Sequence, residues 1–107
     1  HGKYYMITSG CTGWAPNAAR LHLARSMLGE WTYLGNPCVG EEAGLTFRSQ
    51  STYVLPLPGK KDAYIFMADR WKPRNLADSR YIWLPIRFKG GKPYLEWCDE
   101  WDLDLFE

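Results

Sequence analysis

An all-β protein assembled from two copies of one sheet-forming unit is what the sequence predicts, on three observations. β-Branched and aromatic residues fall in short runs bounded by Gly, Pro, Asn and Asp, the pattern of strands separated by turns. Helical periodicity is weak along the 107 residues. The texture of the chain also recurs: Tyr5 is matched by Tyr64, Arg20 by Arg80, Gly29 by Gly90 and Tyr33 by Tyr94, each 59 to 61 residues later.

In chain order the runs predict strands over 3–9, 19–25, 31–34, 49–56, 63–69, 80–88 and 93–97, followed by an extended tail over 101–106. Residues 18–28 have the propensity of a helix. Leu21 and Leu23 nevertheless alternate with Arg20 and His22 at the period of a strand, and the alternation decides. Each unit then reads strand, long polar loop, strand, short Gly turn, strand. The long loops are 11–18 and 70–79, and the short turns are 28–30 and 89–92.

The second unit begins with an extra strand, 49–56, whose counterpart in the first unit would precede residue 1. A repeated four-stranded unit is the blade of a β-propeller, and blades bury their faces only against neighbours around a ring. Two blades close no ring. The expectation is therefore a piece of a larger propeller, ahead of the alternative of an assembly with other chains, whose first blade lacks its innermost strand, with a partial blade over about 1–40, a final blade over about 45–98 and a closing tail over 99–107.

Charge and composition exclude several partners. Thirteen Lys and Arg against twelve Asp and Glu leave a net charge of +1, which gives no field to gather nucleic acid or anionic lipid. No apolar run approaches the roughly 18 residues a membrane helix needs. The three cysteines, Cys11, Cys38 and Cys98, have no CxxC spacing, so neither a zinc site nor a disulfide framework is expected and all three read as small buried residues. His1 is terminal and His22 alternates with leucines, so no metal cluster, cofactor or Ser/His/Asp arrangement is expected.

Aromatic residues make up 16% of the chain, and the tryptophans beside turn signals matter most. In a propeller the ligand site lies at one mouth of the central channel, where inner strands begin and long loops project. That rule selects Phe47-Arg48-Ser49-Gln50 and the two loops Cys11–Asn17 and Asp69–Asn75, which carry Trp14 and Trp71 with Pro and Asn in the same order. A ring face beside amides and hydroxyls suits a sugar, although large rings also fill the gaps between sheets. Glycoside hydrolysis ordinarily needs two carboxylates flanking the bond. Glu41 and Glu42, Asp69 and Asp78, and the acidic tail from Asp99 to Asp104 provide no convincing pair.

The segment 2–17, with Ser9-Gly10-Cys11-Thr12-Gly13-Trp14-Ala15-Pro16-Asn17, resembles the stretch that follows the catalytic acid in glycoside hydrolase family 43. The resemblance continues through Thr46-Phe47-Arg48-Ser49-Gln50-Ser51-Thr52, Ala63–Trp71 and Asp78–Pro85, and within the family it runs to the exo-β-1,3-galactanases and related β-galactosidase-like enzymes of arabinogalactan. It implies a five-bladed propeller, an inverting hydrolysis that releases galactose from β-1,3-galactan or arabinogalactan side chains, and an oligo- or polysaccharide partner outside the cytoplasm, secreted or periplasmic. The general acid it implies, a glutamate in a Glu-Ala-Pro motif, would lie upstream of His1, so the isolated 107 residues are expected to be inert. Gln50 matches the glutamine that stands where other members have a general base, and Thr12 matches a residue that binds the terminal galactose. With Trp14 and Trp71 these form the expected site. A carbohydrate-binding β-domain without catalysis is the alternative, and a piece whose aromatics only pack blades is the third reading.

Overall fold

The computed structural model describes residues 2–106; His1 and Glu107, where the sequence reading begins and ends, lie outside the described residues. Among the described residues nine strands form three sheets of three: β1 (Tyr4–Thr8), β2 (Arg20–Ala24) and β3 (Thr32–Gly35); β4 (Cys38–Val39), β9 (Lys92–Glu96) and β8 (Arg87–Lys89); β5 (Gln50–Pro56), β6 (Tyr64–Arg70) and β7 (Arg80–Pro85). The expected all-β class is what forms, and among the described residues the helical pieces are short 3-10 turns at Ala43–Leu45, Leu76–Asp78 and Leu103–Phe106.

The repeat is physical. Tyr5 and Tyr64 fall in β1 and β6, Arg20 and Arg80 open β2 and β7, and Tyr33 and Tyr94 fall in β3 and β9. The antiparallel ladders β1–β2 and β6–β7 run in unbroken register from Tyr4↔Ala24 to Thr8↔Arg20 and from Ile65↔Pro85 to Arg70↔Arg80. Segment 19–25 is a strand, as its alternation predicts: Leu21 and Ala24 are buried, and a bulge against β3 between Leu21 and His22 leaves His22 and Leu23 only half-buried.

The structure departs from the sequence reading at several points. The single strand 80–88 is broken, because Pro85 has no N–H to continue the ladder and the next amide, Ile86, turns to donate to the Tyr64 carbonyl at 2.9 Å. β8 therefore leaves the β5–β6–β7 sheet and pairs with β9, whose other edge takes β4 in parallel. β4 itself had no sequence signal; Asn36 builds it, accepting from the Cys38 amide at 2.9 Å and donating to the Ala43 carbonyl at 2.8 Å. The tail is not extended: Asp102 accepts the Asp104 amide through Oδ1 at 3.0 Å and the Leu105 amide through its carbonyl at 3.3 Å, which closes a 3-10 turn.

The core lies between the two units. Phe66, Ala68, Ile82 and Leu84 share one face of β6 and β7 and meet Ala19 and Ile7 of the first unit, while Phe47, Cys38, Ile86 and Leu95 continue the cluster beneath. Each fully buried Phe or Leu contributes about 1.5–3 kcal/mol. The cysteines divide: Cys38 is buried, and burial pushes its thiol up to about 12 against a weaker pull from its hydrogen bond to Thr46. Cys98 is half-buried. Cys11 is exposed, contrary to expectation, because its left-handed backbone (φ 59°) folds it onto Ser9 at the tip of a loop.

Candidate functional site

The loop after β1 is closed by its own polar groups. Asn17 accepts the Gly10 amide through Oδ1 at 2.7 Å and donates through Nδ2 to the Thr12 hydroxyl at 2.6 Å. Thr12 Oγ1 in turn donates to the Ala15 carbonyl at 2.6 Å. Gly10 lets the Asn17 side chain approach closely, since a Cβ would stand 3.3 Å from it and push it back by a few tenths of an ångström. Asn17 also ties the loop down, because its carbonyl accepts from Thr46 Oγ1 at 2.6 Å.

Gln50, the first residue of β5, reaches across to this loop. Its Nε2 donates to the carbonyls of Gly13 at 2.7 Å and Ala15 at 2.9 Å. The two carbonyls fix the amide's orientation, because the flipped amide would set its oxygen against two other oxygens. Both hydrogens are thus occupied. Oε1 is left as the acceptor of the group, and no described residue donates to it. Gln50 is half-buried, and its strand partner on β6 is Asp69.

The second loop brings Trp71 to the same place. Trp14 and Trp71 meet edge to face with centroids 5.0 Å apart and planes at 79°, yet remain 52% and 39% exposed. All four sequence-predicted site residues, Thr12, Trp14, Gln50 and Trp71, are therefore gathered at one end of the two units. The Trp71 loop is braced at its root: Lys72 Nζ lies 2.5 Å from Asp78 Oδ2, Arg80 Nη2 lies 2.6 Å from Asp78 Oδ1, and the Lys72 amide donates to Ser79 Oγ at 3.0 Å.

The hydrogen bond from Lys72, with the charge of Arg80 beside it, holds the Asp78 carboxyl below the usual carboxylate range. A carboxylate with a depressed folded pKa stabilises above its unfolded value, and that contribution disappears as pH falls through the lowered folded one. The brace should accordingly hold from neutral pH down to about pH 4 and open only below it. Tryptophan emission should show an acid transition there that Asp78→Asn removes; a transition that survives Asp78→Asn would contradict this role.

The turn that feeds Gln50 is strained. Thr46, Phe47 and Arg48 have φ of 51°, 56° and 62°, three successive non-glycine residues in the left-handed region at a cost of about 1–2 kcal/mol each. Such a turn persists only when its surroundings over-determine it. Here Thr46 and Phe47 are buried, the Ser49 hydroxyl donates to the Thr46 carbonyl at 2.5 Å, and Arg70 Nη2 donates to the Phe47 carbonyl at 2.7 Å. Asn17, Thr46 and Arg70 are the parts of the site that sequence reasoning missed as contributors. Asn17 and Arg70 stand inside the two selected loops, but nothing in their spacing announces their partners.

This end of the protein offers an acceptor oxygen, a hydroxyl and two ring surfaces. No described carboxylate is bonded to Gln50 or Thr12, and no cluster of three His, Cys, Asp or Glu that could hold a metal exists among the described residues. A groove of about 410 Å³ lies elsewhere, near the opposite ends of the strands, between Tyr4, Tyr5, Val54, Tyr64 and Phe88. Its lining is mostly apolar and distant in the fold from Gln50, so it belongs to the packing between units.

No protein-family model matches the chain, and no curated protein matches it. Solved structures do. A family 43 β-1,3-galactosidase determined with galactodeoxynojirimycin is 62% identical, with a TM-score of 0.93 over 96% of this chain and 30% of that one. The exo-β-1,3-galactanase of Phanerochaete chrysosporium, determined with β-1,3-galactotriose, is 37% identical with a TM-score of 0.77 over 89% of this chain and 21% of that one. The exo-β-1,3-galactanase of Clostridium thermocellum is 38% identical with a TM-score of 0.74 over 90% and 21%. The chain thus spans less than a third of the length of these structures.

Proposed function

The chain belongs to glycoside hydrolase family 43, on the side of its β-1,3-galactosidases and exo-β-1,3-galactanases, and from that premise we propose that it supplies one side of the active site of an inverting enzyme that releases galactose from β-1,3-galactan or arabinogalactan side chains. The observation that carries the reading is the Gln50 amide. Its two N–H groups are committed to the carbonyls of the Thr12–Trp14 loop, which leaves Oε1 to accept a hydrogen from the attacking water or from a sugar hydroxyl. An amide is too weak a base to hold a proton. The imidic tautomer would also give up one of the two Nε2 hydrogens and turn a lone pair toward a carbonyl oxygen. Gln50 therefore aligns the water, Thr12 offers the remaining lone pair of its hydroxyl to the terminal galactose, and Trp14 with Trp71 gives an apolar wall for the ring. The general acid that protonates the departing oxygen is assigned to residues outside this chain.

We read the two units as the last two blades of a five-bladed propeller, with the other blades as partners. Two features support stacking against further sheets. The row Tyr53, Met67, Trp83 on the outward face of β5, β6 and β7 has Tyr53 and Trp83 exposed, and the row Met6, His22, Tyr33 on the outward face of the first unit has Met6 and Tyr33 exposed. These two sheets thus carry large apolar side chains on the face turned away from the core as well, the pattern of a sheet covered on two sides. A polysaccharide substrate implies work outside the cytoplasm, in the secreted or periplasmic space. A carbohydrate-binding module without catalysis is the second reading, favoured by the lack of a described carboxylate bonded to Gln50 or Thr12.

The stereochemistry tests the mechanism. Proton NMR of β-1,3-galactotriose treated with the complete enzyme should show α-galactose as the first-formed anomer, which mutarotates later. β-Galactose appearing first would reject the inverting assignment.

A further inference from the structure

The geometry points to Arg70 as a positioning residue that sets the angle of Gln50 through the left-handed turn 46–48. The inference rests on the reading of Gln50 given above. Arg70 ends β6, one residue after Asp69, the register partner of Gln50, and one before Trp71, so it stands between the two halves of the mouth. Its Nη2 donates to the Phe47 carbonyl at 2.7 Å, inside the turn that delivers the chain to Gln50 three residues later. Its guanidinium lies 5.7 Å from the centroid of Trp97, and the same indole packs on Phe47 at 5.8 Å. Trp97 is itself held, because its Nε1 donates to Asp99 Oδ1 at 2.7 Å. A column thus runs from Asp99 through Trp97 and Arg70 to the turn.

One atom shows what the guanidinium is arranged for. Arg70 Nε is buried and has no hydrogen-bond partner, the unsatisfied atom of its kind among the described side chains. Buried donors are normally paired, and leaving one unpaired costs more than the average hydrogen bond returns. The fork is placed to bond the Phe47 carbonyl and lie on Trp97, and Nε is left over. A turn of three left-handed residues needs such an external clamp, and a lysine ammonium, a point charge without a planar face, cannot stack on the indole while it bonds the carbonyl.

The test is made in the complete enzyme with β-1,3-galactotriose. Arg70→Lys should lower kcat about tenfold while KM moves less than about twofold, since a small misplacement of an aligned group acts on the reaction rather than on binding. In a Gln50→Ala background the same change should lower kcat by less than about a further twofold, because the group being positioned is gone. Arg48→Gly added to Arg70→Lys should regain at least about threefold in kcat, since glycine adopts the left-handed conformation without strain and the clamp becomes dispensable. The glycine rescue keeps the test open if Arg70→Lys alone folds poorly. Equal losses from Arg70→Lys in both backgrounds, or no gain from Arg48→Gly, would overturn the role of Arg70 while leaving that of Gln50 intact. Full activity in Gln50→Ala itself would remove the functional reading and this inference with it.

Discussion

On the proposed function, Gln50→Ala should lower kcat of the complete enzyme on β-1,3-galactan by about 10²–10³, the range seen when one preorganised hydrogen-bonding group is removed from an active site. Two losses combine: the acceptor Oε1 disappears, and the carbonyls of Gly13 and Ala15 lose the donors that tie the loop to β5. Gln50→Glu is the sharper variant. Its shape is nearly the same and it carries the group that a general base would need, but its carboxylate has no hydrogens for the two carbonyls 2.7 and 2.9 Å away. The repulsion pushes the loop and the side chain apart, so Gln50→Glu should lose activity on the same scale as alanine. Steady-state kinetics decides the matter, and a glutamate variant as fast as the parent would mean that the amide orientation is not what the site uses.

Phe66→Ala should be the most destabilising single change in the core. Phe66 is fully buried at the centre of β6, cross-strand to Val54 and Leu84, where the two units meet. Removing a buried phenyl ring costs about 3–5 kcal/mol through lost transfer energy and the cavity left behind. A domain of ordinary stability has only about 5–15 kcal/mol in total. Urea unfolding followed by circular dichroism should therefore show a large fall in the midpoint at a similar slope. A shift worth less than about 1 kcal/mol would mean that the space refills and that this contact does not hold the units together.

Most of the fold was legible because the longer strands obey a local rule that tertiary structure does not override. Leu21 with His22, and Phe66 with Met67, alternate between faces, and the recurrence of Tyr5 and Arg20 some 60 residues later marks the same two paired strands twice, whereas Tyr94 falls in β9, outside the sheet of β6 and β7. What was illegible depends on contacts between distant residues. β4 has two residues and exists because Asn36 and β9 hold it. The break at Pro85 carried a visible mark, the proline, whose meaning became plain only with Ile86 turning to Tyr64. Thr46, Phe47 and Arg48 avoid left-handed backbone by intrinsic preference, so no local rule leads from them to the turn they form. For the site, loop aromatics pointed to Trp14 and Trp71, whereas Thr12 and Gln50 lie in stretches that the propeller-mouth rule selected and received individual roles only from the family resemblance. Their convergence at one end of the two units is a geometric fact that spacing alone does not give.

The most direct test of the account is galactose release from β-1,3-galactan, measured side by side for the complete enzyme and for this 107-residue chain alone. The account predicts steady release of galactose by the complete enzyme and nothing above background from the chain, because it assigns the acid that protonates the departing oxygen to residues outside the chain. Turnover by the isolated chain, or a complete protein that leaves the galactan uncut, would contradict it.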